Sequence, residues 1–164
     1  MKKLTYLFLL IFVIGSVGCK KYEDHIVKVW DIEEITFTGT YEDTTNNLNI
    51  PFSGEVTNLA SIDATIEFFA DGTLKGDTDA QYKLKVSVFG FNIPEIPINQ
   101  LIENGAWDIK GDILYITHED GGKTEYFIEE LTRKEFIISA NQASNPNENL
   151  KNSEFRMVMK RKKK

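Results

Sequence analysis

The chain has 164 residues, 41% of them hydrophobic, with 19 basic and 25 acidic side chains, two histidines and one cysteine. A lone cysteine excludes an internal disulfide, and the length suits one domain with a sizeable core. Between Cys19 and Met159 the chain holds 12 basic against 25 acidic residues, a formal charge of −13, which excludes a general affinity for nucleic acid.

The first segment, 1–18, does not read as part of the fold. Lys2 and Lys3 precede an apolar run from Leu4 to Ile14, and small residues (Gly15, Ser16, Gly18) stand before Cys19. This is the layout of a secretory signal peptide, and the run is too short, and too quickly followed by Lys20 and Lys21, for a spanning helix. Val17-Gly18-Cys19 resembles the lipobox of bacterial lipoproteins, with Ser16 standing where leucine is usual. That resemblance implies cleavage after Gly18 and lipid attached at Cys19, and hence a chain tethered to a membrane without crossing it. Residues 19–26 then form a lipidated tether. Its Glu23-Asp24 pair resembles a surface-export signal of some Gram-negative lipoproteins, but two acids are a weak signal and an ordinary solvated linker is the favoured reading, so the periplasmic or surface-exposed face stays open.

From residue 27 to residue 159 the dominant period is two. Val27 to Thr38 is the first expected strand. Gly39 to Leu59, rich in Asn, Asp and Thr, is expected as a loop with a short strand near Gly54 to Asn58. Ile62, Ala64, Ile66 and Phe68 alternate with Asp63, Thr65 and Glu67, and Asp71-Gly72 supplies a hairpin turn. Gln81 to Phe89 alternates in the same way. Gly90 to Asn104 is different: Pro94 and Pro97 oppose a central strand, yet Phe91, Ile93, Ile96, Ile98, Leu101 and Ile102 are too apolar for an idle loop. The expectation is that they bury as a plug across one barrel end, or form the wall of an apolar pocket. Trp107 to Lys110, Ile113 to Thr117, Thr124 to Leu131, Glu135 to Ala140 and Glu154 to Met159 complete the strands, joined by Gly111-Asp112, Asp120-Gly121-Gly122 and Thr132-Arg133-Lys134.

The result is about eight to ten strands with no helix long enough for a crossover, so the sheet is antiparallel and up-and-down. Closure into a β-barrel removes exposed edges most completely; a β-sandwich is the alternative. Residues 160–164 form a basic tail, either a solvated end or a contact for lipid phosphates.

Trp30, "ATIEFFADGT", "GAWDIKGDILYIT" and "EYFIEELTRKEFIIS" together resemble the recurring pattern of lipocalin-like lipoproteins of Gram-negative bacteria. The resemblance implies a small antiparallel barrel in an outer-membrane lipoprotein of the cell envelope, and carries no ligand residues with it. Trp30, Phe68, Phe91, Ile93, Ile96 and Trp107 are the candidate lining of a site for a small apolar or amphipathic ligand. The alternative is a filled barrel whose loops, Tyr41 to Asn49 and Phe91 to Ile102, meet an envelope protein or a glycan. Catalysis is not expected: there is no Gly-x-Ser-x-Gly elbow, and only His25 and His118 could act as imidazole bases. No cofactor or metal is implied, because His118-Glu119-Asp120 do not converge on one ion and Asp71, Asp77 and Asp79 lack EF-hand spacing.

Overall fold

The computed structural model describes residues 20–43, 45–76, 80–99, 104–142 and 150–163. Residues 1–18, on which the signal-peptide expectation falls, and Cys19, Asp77, Asp79, Leu101 and Ile102 lie outside the described residues. The elements in chain order are α1 (Lys20–Ile26), β1 (Val29–Asp43), β2 (Leu48–Val56), α2 (Leu59–Ile62), β3 (Thr65–Phe68), β4 (Thr73–Gly76), β5 (Gln81–Val88), β6 (Phe91–Asn92), β7 (Ile96–Asn99), β8 (Gly105–Lys110), β9 (Ile113–His118), β10 (Lys123–Leu131), β11 (Glu135–Gln142) and β12 (Leu150–Arg161). No helix among the described residues is long and apolar enough to cross a membrane.

Every strand pairing is antiparallel, and the ring β1, β3, β4, β8, β9, β10, β11, β12 closes because β12 returns to pair with β1 from Trp30↔Arg161 to Tyr41↔Leu150. The expected barrel is therefore the observed one, with eight strands in the ring and further strands added to it; closure disposes of the sandwich alternative. One seam is short. Among the described residues β4 meets β8 at Thr73↔Ala106 and Leu74↔Gly105, reinforced by Trp107 N donating to Gly72 O at 2.7 Å.

β1 is long enough to serve two neighbours on one edge. Val29 to Asp31 pair with β3, which closes the barrel, while Thr36 to Asp43 pair with β2, which carries β5 and then β6 and β7. The β2, β5, β6 and β7 strands thus form a wing that leaves the barrel at its upper half. Two adjustments permit the division. A register shift places both Glu33 and Glu34 outside, and α2 carries the chain from the wing back down to β3. Asn58 fixes this junction by donating to Gln81 O at 2.9 Å and accepting from Lys83 N at 2.8 Å.

Four sequence expectations change here. The polar stretch 39–59 is a hairpin, not a loop: Leu48, Ile50, Phe52 and Val56 share one side of β2, and Asp43 Oδ1 accepts from the Thr45 and Asn46 amides to close the turn. Ile62 belongs to a helical turn ended by Asp63 in the left-handed region at φ 51°, so the strand begins only at Thr65. Residues 20–26 are a short helix rather than a free linker, because Ile26 is fully buried and its carbonyl accepts from Trp30 Nε1 at 2.9 Å. The last strand runs to Arg161, so Lys160 and Arg161 of the basic tail belong to the sheet, and Lys162 N donates to Val29 O at 3.1 Å.

Candidate functional site

Three of the six candidate lining residues are in the barrel. Trp30 and Phe68 have 0% and 1% of their surface exposed, and each ring lies close to Phe136, at centroid separations of 5.4 and 5.9 Å. Trp107 is half-buried, meets Phe68 edge-on at 5.9 Å and donates its indole N–H to Phe69 O at 3.1 Å. With Ile35, Leu114 and Met159 also fully buried, the lower barrel is a packed core, and Tyr82 of β5 is buried against the same core. These three side chains are core and seam.

The other three lie on the wing, away from Trp30. Phe91 is 78% exposed and Ile93 38%, so neither is buried in a plug across the barrel end. Their segment instead adds short edge strands to β5, through Val88↔Phe91 and Lys83↔Pro97, and edge strands tolerate the prolines that a central strand would not. Ile96 pairs with Leu84 through its backbone, and its side chain lies outside what is described.

The alternation of β1 carries the barrel interior onto the wing. Ile35, Phe37, Gly39 and Tyr41 follow one another on the inner side; across the ladders they meet Gly54, Phe52 and Ile50 of β2, and beyond these Val86 and Val88 of β5. The Phe37 ring covers Gly54 so closely that no β-carbon fits there, and Phe37 stands 6.4 Å from the Phe52 ring. On the barrel side Phe37 pairs with Phe155, whose ring is 5.9 Å from Tyr126. Burial holds the Tyr126 phenol above its ordinary pKa, opposed in part by a hydrogen bond with Thr124. Phe37, Phe52, Val86, Val88, Tyr126 and Phe155 are all only half-buried. Above them on the inner side of β9 and β10, His118 Nε2 and Thr124 Oγ1 lie 2.8 Å apart and add polar atoms to an apolar face.

The outer side of the same wing is polar. Thr36, Thr38, Ser53, Ser87 and Asn92 line an open groove of about 350 Å³, crossed by the Lys85–Glu55 ion pair at 3.2 Å. Small hydroxyl side chains between longer charged ones leave this trough, and the exposed ion pair adds little stability.

Sequence reasoning found the wing's apolar residues on β5 but missed β2. Its signal was present in Leu48, Ile50 and Phe52 at spacing two, masked by Pro51 and the flanking asparagines. Among the described residues no group of three His, Cys, Asp or Glu side chains is placed to hold a metal ion. Comparison with protein-family models, curated proteins and solved structures gave no match.

Proposed function

We propose that this chain is a lipid-anchored protein of the cell envelope, of the lipocalin-like kind, which binds a small amphipathic molecule on the inner face of the wing rather than deep in the barrel. The observation that carries the reading is the contrast between the two tiers. The floor is filled by Trp30, Phe68, Phe136 and Leu114, whereas the face above it leaves Phe37, Phe52, Val86, Val88, Tyr126 and Phe155 partly uncovered. Apolar surface kept in contact with water is a standing cost of about 25 cal/mol per Å², removed when an apolar guest covers it. The His118–Thr124 pair on the same side offers hydrogen-bonding atoms for a polar head. The anchor rests on the signal-like segment 1–18 and Cys19, with the outer membrane as the destination that the lipocalin-like resemblance implies.

The test is extraction of the chain starting at Lys20, which contains every element of the fold, with organic solvent followed by mass spectrometry. One class of amphipathic molecule near one per chain is expected, and a Val86→Glu/Val88→Glu variant should lose it. A clean extract together with no uptake of an apolar fluorescent dye contradicts the reading.

One observation favours a second reading. Phe91, Phe89 and Leu48 are 78%, 59% and 53% exposed near the wing's tip, beside the polar groove, an arrangement of apolar centre and polar rim that suits a protein partner. A Phe89→Ser/Phe91→Ser variant that keeps the small molecule but loses a protein cross-linked in the envelope would separate the two.

A further inference from the structure

The barrel end that carries α1 gathers cations. Lys28 leads into β1, Arg161 closes β12 opposite Trp30, and Arg133 and Lys134 sit in the turn between β10 and β11. The backbone locks them side by side: Arg161 N donates to Lys134 O at 2.9 Å, and Lys162 N donates to Val29 O at 3.1 Å. Lys28 Nζ stands 5.2 Å from the Trp30 ring centroid. Burial, and then the charges of Arg161 and Arg133, hold the Lys28 ammonium below its ordinary pKa, which reports how near the three cations are.

Several acids of this end are engaged with other partners, while Asp24 in α1, Glu67 opposite Val29 and Glu135 at the start of β11 also lie here. Lys160 pairs with Glu33 at 3.3 Å, and Lys162 with Asp63 at 2.7 Å and Asp31 at 3.6 Å, which neutralises those two lysines on the outer wall. Asp112 accepts from the Tyr22 hydroxyl at 3.1 Å, and Asp71 accepts from Thr73. Among the described residues no ion pair involves Lys28, Arg133, Lys134, Arg161 or Lys163. Five unpaired cations crowded onto one end of an otherwise acidic body repel one another, and an external anion relieves that repulsion.

We propose that this basic end is a docking surface for anionic phospholipid headgroups, which seats the barrel end-on against the membrane and points the wing away from it. The chain order agrees with this placement: Cys19 directly precedes α1, and α1 packs at this same end through Ile26 and Tyr22. A lipid on Cys19 and a basic surface beside it would be the two signals that stable attachment requires. A membrane suits the arrangement better than a single free phosphate, because the cations come from three separate segments spread across the barrel end rather than converging on one point.

The contact is tested without Cys19, so that failure of lipid attachment and failure of this surface are separable. The chain from Lys20 is sedimented with vesicles of phosphatidylcholine alone, or of phosphatidylcholine with about one third phosphatidylglycerol, at low and at high salt. Each cation near an anionic surface adds about 1 kcal/mol, so the wild type should partition onto the anionic vesicles at least about tenfold more strongly, and lose that preference as salt shortens the Debye length. Arg133→Glu/Arg161→Glu/Lys163→Glu should abolish the preference. Lys83→Glu/Lys85→Glu/Lys123→Glu, with the same change in net charge but on the wing and the far hairpin, should retain it, and circular dichroism checks that both variants are folded. Equal partition of the wild type onto both vesicle types, or equal loss in both triple variants, overturns the proposal.

Discussion

Replacing Trp30 by phenylalanine tests whether the lower barrel is packed as described. The indole is fully buried, touches Phe136 and supplies the N–H that satisfies the Ile26 carbonyl at 2.9 Å. Phenylalanine loses that donor, and a buried carbonyl left without a partner costs about 1–3 kcal/mol. The smaller ring also leaves a gap where the indole's second ring stood, worth about 1–2 kcal/mol at the usual transfer and cavity terms. The variant should therefore be about 2–5 kcal/mol less stable, a large share of the roughly 5–15 kcal/mol typical of a domain. Urea titration followed by far-ultraviolet circular dichroism measures this, with Trp107 as the remaining indole reporter. An unchanged slope with a lower midpoint marks lost stability rather than a changed unfolded state. A loss below about 1 kcal/mol would show that Trp30 is not locked into a dense core, and the filled floor would fall with it.

Gly54→Val should destabilise by about 1–3 kcal/mol, because its side chain would displace the Phe37 ring that covers Gly54; the same titration reads it. The hydrogen bonds from Thr73 hold the Asp71 carboxyl below its ordinary 3.8. A depressed folded pKa contributes stability that is present above the unfolded value and lost as pH falls through the folded one, so wild-type stability should decline below about pH 4. The Asp71→Asn variant should decline less over that window in thermal melts made across the acid range. Cys19→Ser should move the protein from the membrane fraction to the soluble fraction of fractionated cells, because one basic surface alone holds a membrane weakly.

Most of the barrel was legible in the sequence, and the reasons are local. β8 to β11 combine strict alternation with Gly-Asp and Gly-Gly turns, and their observed bounds differ from the expected ones by no more than two residues. The wing was half legible. β5 alternates openly, but β2 contains Pro51, which is tolerated because its carbonyl faces Phe89 N at 3.3 Å, beyond the last β2–β5 pair at Phe52↔Val88. A residue's N–H and C=O point the same way in a strand, so the missing donor of Pro51 falls where the β5 ladder has already ended. α1 was hidden in a charged segment because its anchoring depends on a tertiary bond, Trp30 to Ile26, that no local pattern announces.

The candidate site was legible only as residue types. Apolar side chains at 91–102 implied burial, yet Phe91 is largely exposed, because β6 adds to the edge of the wing and not to the barrel. Conversely, Trp30 and Phe68 carry the same aromatic signature as a ligand wall but fill the floor. Which tier a side chain occupies follows from β1 dividing its edge between β3 and β2, a long-range choice that composition does not encode.

The most direct measurement is titration of an apolar fluorescent dye into the chain from Lys20 and into two variants. Val86→Glu/Val88→Glu places charge on the inner wing face, whereas Phe136→Leu alters only the packed floor. Binding that is lost in the wing variant and kept in the floor variant is the predicted result. Binding that survives the wing charges but disappears with Phe136 would put the site inside the barrel and contradict the account.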